Sequence, residues 1–382
     1  MNEKKLKQLF LVKRLLFVTI IAYVAVFILM NTSYLSIDNI RRFAYSAKTA
    51  LTQTSVGSND VITYSSGKIP IFSPFKDGLA ILDDSSVSVY SRDNIKYSAH
   101  HVNYRNPVLR VSDEYILCFD RGGKKLSVYN SFDLLFEKEF SDIIINASVD
   151  SSGRIAVITE KYGYKGQLTV FNTSFEERFL WYSADAYLVD VAFTSTNSVS
   201  VVSVAQNMEN IDTVVYTLNY SAGEERSKVV SQNAFPLSVA KKNDGSVEIL
   251  SETGLISFRS GGCNTVYSYG SRVPYKFFQS DKYTVFAYDL NTPDNHFSVY
   301  VTDITGNKQF ETIVENVKSI SAFADTIFVL TSEKLLAFDR TGAVVSEAEV
   351  PVGVTDIVAG KQNCVLYGAE KAHIISTAII VK

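Results

Sequence analysis

The stretch YILCF (115–119), followed by LSVYN (126–130) and LLFEKEF (134–140), decides the fold. Its first run is almost wholly apolar, its second alternates, and its third is rich in charge. Short runs of β-branched and aromatic residues, parted by Gly, Asn, Asp and Ser, are strands joined by turns. A strand apolar on both faces must be covered on both faces.

The same grammar recurs outward from this stretch. Nearly all-apolar runs stand at LAIL (79–82), IAVIT (155–159), VSVVSV (199–204), VEIL (247–250), TVFAY (284–288), TIFVL (326–330) and CVLY (364–367). Their spacing is about 36 to 48 residues, which suits four-stranded propeller blades. Second strands follow, such as VSVYS (87–91), LTVFN (168–172) and LLAFD (335–339). More polar outer strands follow those, and inner strands such as YLVDVAF (187–193) precede each set. A blade cannot cover both its faces alone, but blades packed radially can. The expectation is therefore an all-β chain folded as a β-propeller, most simply of eight blades, with seven blades or a pair of β-sandwiches as alternatives. The last unit looks one strand short or ends in one long strand, HIISTAIIV (373–381). The orphan run VITYS (61–65) is expected to join that last blade and close the ring.

Ahead of the repeats the language changes. LLFVTIIAYVAVFILM (15–30) holds no charge, proline or glycine. With its flanks it is long enough for a bilayer-spanning helix, and a lone segment in lipid must be helical. Lys4, Lys5, Lys7, Lys13 and Arg14 precede it, and only Arg41 and Arg42 follow closely. That asymmetry holds the N-terminus on the cytoplasmic side. The alternative, a cleaved signal peptide, wants a shorter apolar run and a nearby small-residue cleavage site. The expected organisation is a basic cytoplasmic tail (1–14), a transmembrane anchor (15–34), a juxtamembrane helix and linker (35–60) and an extracytoplasmic propeller (61–382). Ser36 is placed to cap the juxtamembrane helix, with Asp38 in its first turn.

Composition narrows the function. Of the net charge of −3, the first fourteen residues contribute +4, so the rest carries −7. A mildly acidic exterior domain is a poor partner for nucleic acid. Three scattered cysteines argue against a disulfide framework, and Cys118 and Cys364 fall on core strands. No H-E-x-x-H, G-x-S-x-G or P-loop pattern is present, so no catalytic residue, metal ligand or cofactor is assigned. His100-His101 reads as a solvated loop between the first two units, and Asp83-Asp84 as a turn. Asp120-Arg121 and Asp339-Arg340 read as strand ends at matching positions of two blades. The Tyr and Phe residues, 22 and 24 of them, mostly alternate within strands as core residues do.

Two hairpins carry a resemblance. Phe338-Asp339-Arg340-Thr341-Gly342 and Thr302-Asp303-Ile304-Thr305-Gly306 resemble the apolar-x-D-x-x-G turn of the PQQ-like propeller repeat. Trp181, in LTVFNTSFEERFLW (168–181), stands where that repeat's docking tryptophan falls. It is the chain's one tryptophan, and the vicinal cysteines of quinone-dependent dehydrogenases are missing. The resemblance implies the scaffold and not the quinone. As a whole the chain is similar to an uncharacterised family of membrane-anchored propeller proteins of Gram-positive bacteria, which carries no assigned activity.

These readings lead to a single-pass membrane protein holding a binding or scaffold propeller outside the cell, for an envelope protein or glycan. The rival class is a propeller hydrolase or lyase acting on wall polysaccharide. A cluster of carboxylates at the ring centre would favour the enzyme, and a channel with a polar or aromatic rim the scaffold. Loops between second and third strands share one face, and three are long: KYGYKG (161–166), AQNMENID (205–212) and LNTPDNH (290–296). Long loops on a rigid scaffold gather binding residues. The candidate ligand-binding residues are Tyr162, Tyr164 and Lys165, then Asn207 and Asn210, then Asp294 and Asn295. The turns at Arg121 and Arg340 are expected on the opposite face.

Overall fold

The computed structural model describes residues 13–23, 26, 36–52, 61–64, 69–259, 261–361 and 363–377. Contacts divide the chain into two units, Met1–Val56 and Gly57–Lys382.

In the first unit, residues 13–23 are helical and their side chains are exposed. Among the described residues no helix is long and apolar enough to cross a membrane. Residues 24–25 and 27–34 of the expected anchor lie outside the described residues. The helix expected after the apolar run spans Ile37–Thr52. Ser36 caps it, its Oγ accepting from the Asn39 amide at 3.2 Å. The apolar residues Ile37, Ile40 and Phe43 are exposed, whereas Asp38 and Arg42 are buried.

The second unit is an eight-bladed β-propeller. Eight sheets hold four antiparallel strands each, here lettered a to d from the axis outward. Seven blades are continuous in sequence: 71–101, 107–139, 144–183, 187–231, 236–268, 276–315 and 319–349. The eighth takes strands a to c from 354–376 and its strand d, Val61–Thr63, from the chain's start. Ring closure thus follows the expected route, and the last unit is the one-strand-short alternative. Val61, Ile62 and Thr63 pair with His373, Ala372 and Lys371. The Tyr64 amide then donates to the Glu370 carbonyl at 3.1 Å, and its hydroxyl to the Gly368 carbonyl. Of the closing pair, Ile62 packs into the last junction while Val61 stays exposed, because alternation turns it outward.

The all-apolar runs are strand b of every blade. Strand b is flanked by hydrogen-bonded neighbours and covered by the next blades on both faces. Among the described residues eight apolar clusters fill the junctions, one for each neighbouring pair of blades. Burial of each cluster removes apolar area at about 25 cal/mol per Å². Cys118 and Cys364 lie in two of these clusters and are fully buried. Trp181 on strand d of blade 3 meets the Tyr216 ring of blade 4 at 5.0 Å, so it docks one blade on the next.

The turns obey one local rule. Asp339 Oδ1 accepts from the Thr341 amide at 2.8 Å, the Thr341 hydroxyl at 2.6 Å and the Ala343 amide at 3.1 Å. Asp303 does the same with Thr305 and Asn307. Gly342 and Gly306 take the left-handed φ each turn needs, 85° and 81°. These are the two hairpins that resemble the PQQ-like repeat.

Three local expectations need correction. His100 and His101 end strand d of blade 1 and are not in a loop; His100 Nε2 lies 3.1 Å from the Phe132 carbonyl. Asp120 ends a strand b, whereas Asp339 follows a strand c, so their positions do not match. Arg121 therefore lies in a b–c turn, on the face of the long loops, and only Arg340 lies opposite. The two carboxylates also act differently: Asp339 caps its own turn, whereas Asp120 Oδ1 accepts from the Arg105 and Asn106 amides of the connection into strand a, at 3.0 and 2.7 Å.

Candidate functional site

Antiparallel strands put the b–c loops and the d-to-a connections on one face of the ring. The a–b and c–d turns lie on the other. The three stretches that read as long loops are on the b–c face of blades 3, 4 and 6.

In blade 3, residues 160–165 form a true loop between strands b and c. Tyr162 is fully exposed. Tyr164 stacks on Tyr182 of strand d with ring centroids 4.7 Å apart. Lys165 Nζ donates to the Tyr187 hydroxyl of blade 4 at 2.8 Å and lies 4.3 Å from the centre of that ring. One end of this loop is thereby fixed across a blade junction.

In blade 4 the expected loop is mostly strand. Strands b and c run Ser198–Asn207 and Asn210–Asn219, so Asn207 and Asn210 face each other across a two-residue turn. Asn207 Nδ2 donates to Asp212 Oδ2 at 3.1 Å. Met208 takes a φ of 53° at the tip and is almost wholly exposed. The ladder outruns the core, where burial no longer imposes alternation, so polar residues there looked like loop. This hairpin leans on the d-to-a connection of its own blade: the Ala234 amide donates to the Ile211 carbonyl at 3.1 Å.

In blade 6, Asp294 and Asn295 lie at a loop tip and are exposed. Asn295 Nδ2 reaches Asn316 Oδ1 at 3.3 Å. Blade 5 stands between them and the other candidates. The structure thus brings Tyr162, Tyr164 and Lys165 together, sets Asn207 and Asn210 one blade away, and leaves Asp294 and Asn295 apart.

The same face carries residues that the pattern had assigned to the core or passed over. Tyr182, Tyr187, Met208, Ile211, Phe235 and Leu237 are all exposed by more than a third. With the loop tyrosines they make an apolar and aromatic row from blade 3 to blade 5. Val273, Tyr275 and Phe277 continue it toward blade 6. Leu237 is the extra residue of a bulge between Pro236 and Ser238, and Ile211 lies on the hairpin that outruns the core, so no strand pattern marks either as exposed.

The ring centre carries charge. Strand a of blade 4 has a bulge between Leu188 and Asp190, and similar bulges occur in blades 3, 5 and 8. A bulge re-aims the side chain that follows it. Asp190 is held above the ordinary carboxylate range because protein surrounds it, although Arg110 and Arg121 of blade 2 draw it down. Its surface is still partly open. Arg110 belongs to a blade two places away, so this field crosses the central opening. Among the described residues no group of three His, Cys, Asp or Glu side chains is arranged to hold a metal ion.

Eight four-stranded blades, closed by a strand from the chain's start, define the class: an eight-bladed β-propeller. Within it the chain belongs to DUF5711, a family of unknown function, whose profile matches residues 48–377. A search of curated proteins finds no match. Among solved structures the chain is similar to BamB from Moraxella catarrhalis, with a TM-score of 0.52 and 12% identity over 85% of this chain and 98% of that one. It is also similar to the C-terminal WD40 domain of Sif2, with a TM-score of 0.53 and 10% identity over 82% and 99%. A quinohemoprotein alcohol dehydrogenase from Pseudomonas putida HK5 gives 0.50 and 8% over 84% and 76%. At these identities the likeness is one of fold.

Proposed function

We propose that this protein is a membrane-tethered, extracytoplasmic scaffold whose b–c face docks an envelope protein. The observation that carries the reading is the apolar row on blades 3 to 5. Exposed apolar patches of this kind, rimmed by polar groups, mark protein contact surfaces. Tyr162, Tyr164 and Tyr182 supply rigid contact area, and Lys165, Asn207 and Asn210 supply polar groups at the edge. The charge asymmetry around 15–30 supports the tether and its direction. The exposed stripe Ile37, Ile40 and Phe43 supports a helix lying along the membrane surface. Asp190 lies in the field of Arg110 and Arg121, a pairing of opposite charges that suits a binding surface.

A photo-crosslinking amino acid at Met208 in intact cells tests the face. It should trap a discrete protein, and the same group at Val344, on the opposite face, should not. Alanine at Tyr162, Tyr164 and Lys165 should weaken that complex at least tenfold, about 1.4 kcal/mol, with the melting temperature unchanged. Trapping of polysaccharide in place of protein would identify a glycan reader.

A further inference from the structure

The junction between blades 4 and 5 is built differently from its neighbours. On the face that blade 2 turns to blade 3, Leu117, Val128 and Phe136 form a cross-strand row. On blade 3 the corresponding row is Ala156, Val170 and Phe179. Both rows are apolar and pack into the next blade. On blade 4 the corresponding row is Ser200, Thr217 and Ser227. The next row down, Val202, Val215 and Val229, is apolar again. Three hydroxyls thus replace three apolar side chains inside a blade stack.

The loss of volume leaves a cleft of about 300 Å³ that opens on the a–b face. Ser198 lines it from above the row, and Asp244, Gly245 and Ser246 wall it from blade 5. The hydroxyls are poorly satisfied. Ser198 is 3% exposed and its Oγ has no partner; Ser227 Oγ has none either. Ser200 and Thr217 share one long contact of 3.5 Å. A buried hydroxyl without a partner costs on the order of 1–3 kcal/mol.

Charge stands at the mouth. Arg259 is neutralised by Asp244, with which it pairs. Arg226 is the extra residue of a bulge opposite Thr217 and Leu218, lines the cleft, and has no ion pair among the described residues. The site therefore combines hydroxyls that both donate and accept, room for about ten waters at ~30 Å³ each, and one uncommitted guanidinium. A lone oxyanion would leave most of that space and several acceptors unused. A ring of hydroxyls bearing one carboxylate matches all three features.

We propose that this cleft binds an acidic monosaccharide unit, its carboxylate on Arg226 and its hydroxyls on Ser198, Ser200 and Thr217. The site is on the face opposite the apolar row and does not depend on it.

Calorimetry on the full chain in a zwitterionic detergent tests the assignment, with glucuronic acid, glucose and inorganic phosphate as probes. Glucuronate should bind, and Arg226→Gln should weaken it at least tenfold while leaving glucose unchanged. The double variant Ser200→Val, Thr217→Val restores an apolar row like those of blades 2 and 3. It should abolish sugar binding with an equal or higher melting temperature. An oligosaccharide ending in glucuronate separates the sources: binding as tight as the free acid indicates a polymer end, and failure indicates a free sugar acid. Absence of glucuronate binding at about 10 mM, tighter binding of phosphate, or full binding by the double variant would overturn the proposal.

Discussion

Asp190 has an electrostatic signature that a titration can read. Burial at the ring centre lifts its carboxyl above the usual range, and the fields of Arg110 and Arg121 reduce that lift without cancelling it. The folded state therefore binds a proton more readily than the unfolded state, so this residue's contribution to stability falls as pH rises through that window. Asp190→Asn keeps an acceptor for the Val191 amide, now 2.8 Å away. It should raise the melting temperature at pH 7, and the gain should shrink as the pH falls toward about 4. A lower melting temperature at neutral pH would show that the arginines dominate. The pair Lys242–Glu248 behaves differently. Each side chain is 1% exposed, and they meet at 2.8 Å between blades 5 and 6. Lys242 also donates to the Ser280 carbonyl at 2.8 Å and the Thr284 hydroxyl at 3.0 Å, across the junction. Removing one partner leaves the other charge buried alone, so Lys242→Met should cost about 3–5 kcal/mol in denaturant unfolding. The double variant Lys242→Met, Glu248→Met should lose less than that single change.

At the scale of the element, ring closure is the sharpest test. A chain lacking everything through Asp60 keeps the closing strand, and one lacking everything through Ser66 does not. The second should melt at a markedly lower temperature, and equal melting temperatures would refute the closure. Tyr64→Phe, which removes the hydroxyl that donates to the Gly368 carbonyl, should cost about 1 kcal/mol. Strand b was legible everywhere because its apolar runs answer to burial on two faces at once. The Asp-x-Thr-Gly turns were legible because their chemistry is local. What escaped was whatever neither constraint reaches. The extended hairpin through Asn207 and Asn210 projects past the core, so nothing forces its residues to alternate. Ser200, Thr217 and Ser227 look like ordinary strand residues in sequence, and only the register sets them in one row. Of the candidate site, the loop tyrosines were legible by loop length, but Phe235 and Leu237 were not, since exposure depends on which blade lies next.

For the whole molecule, the eight junctions are not equivalent. Most are filled by aliphatic and aromatic clusters, that between blades 4 and 5 is part hydroxyl, and that between 5 and 6 carries a buried ion pair. The proposed orientation predicts that protease added to intact cells with a permeable wall degrades everything after Asp60 and spares the basic tail. Full protection of the propeller in such cells would reverse the orientation. The closing strand has one more implication, which is mechanical. Three residue pairs hold Val61–Thr63 to its sheet, and the preceding part of the chain is joined to the ring through this strand. Tension between the preceding part of the chain and the ring therefore loads that short edge before it loads any complete sheet. Stretched from its two ends in an optical trap, the chain should first yield by a small step of about 30 Å, the length of some nine freed residues. The seven sheets built from consecutive sequence would open only in later, larger events. The seam should thus act as a fuse: it should give way at the lowest load, and covalent continuity should hold the strand near its partner to re-seal when the load falls.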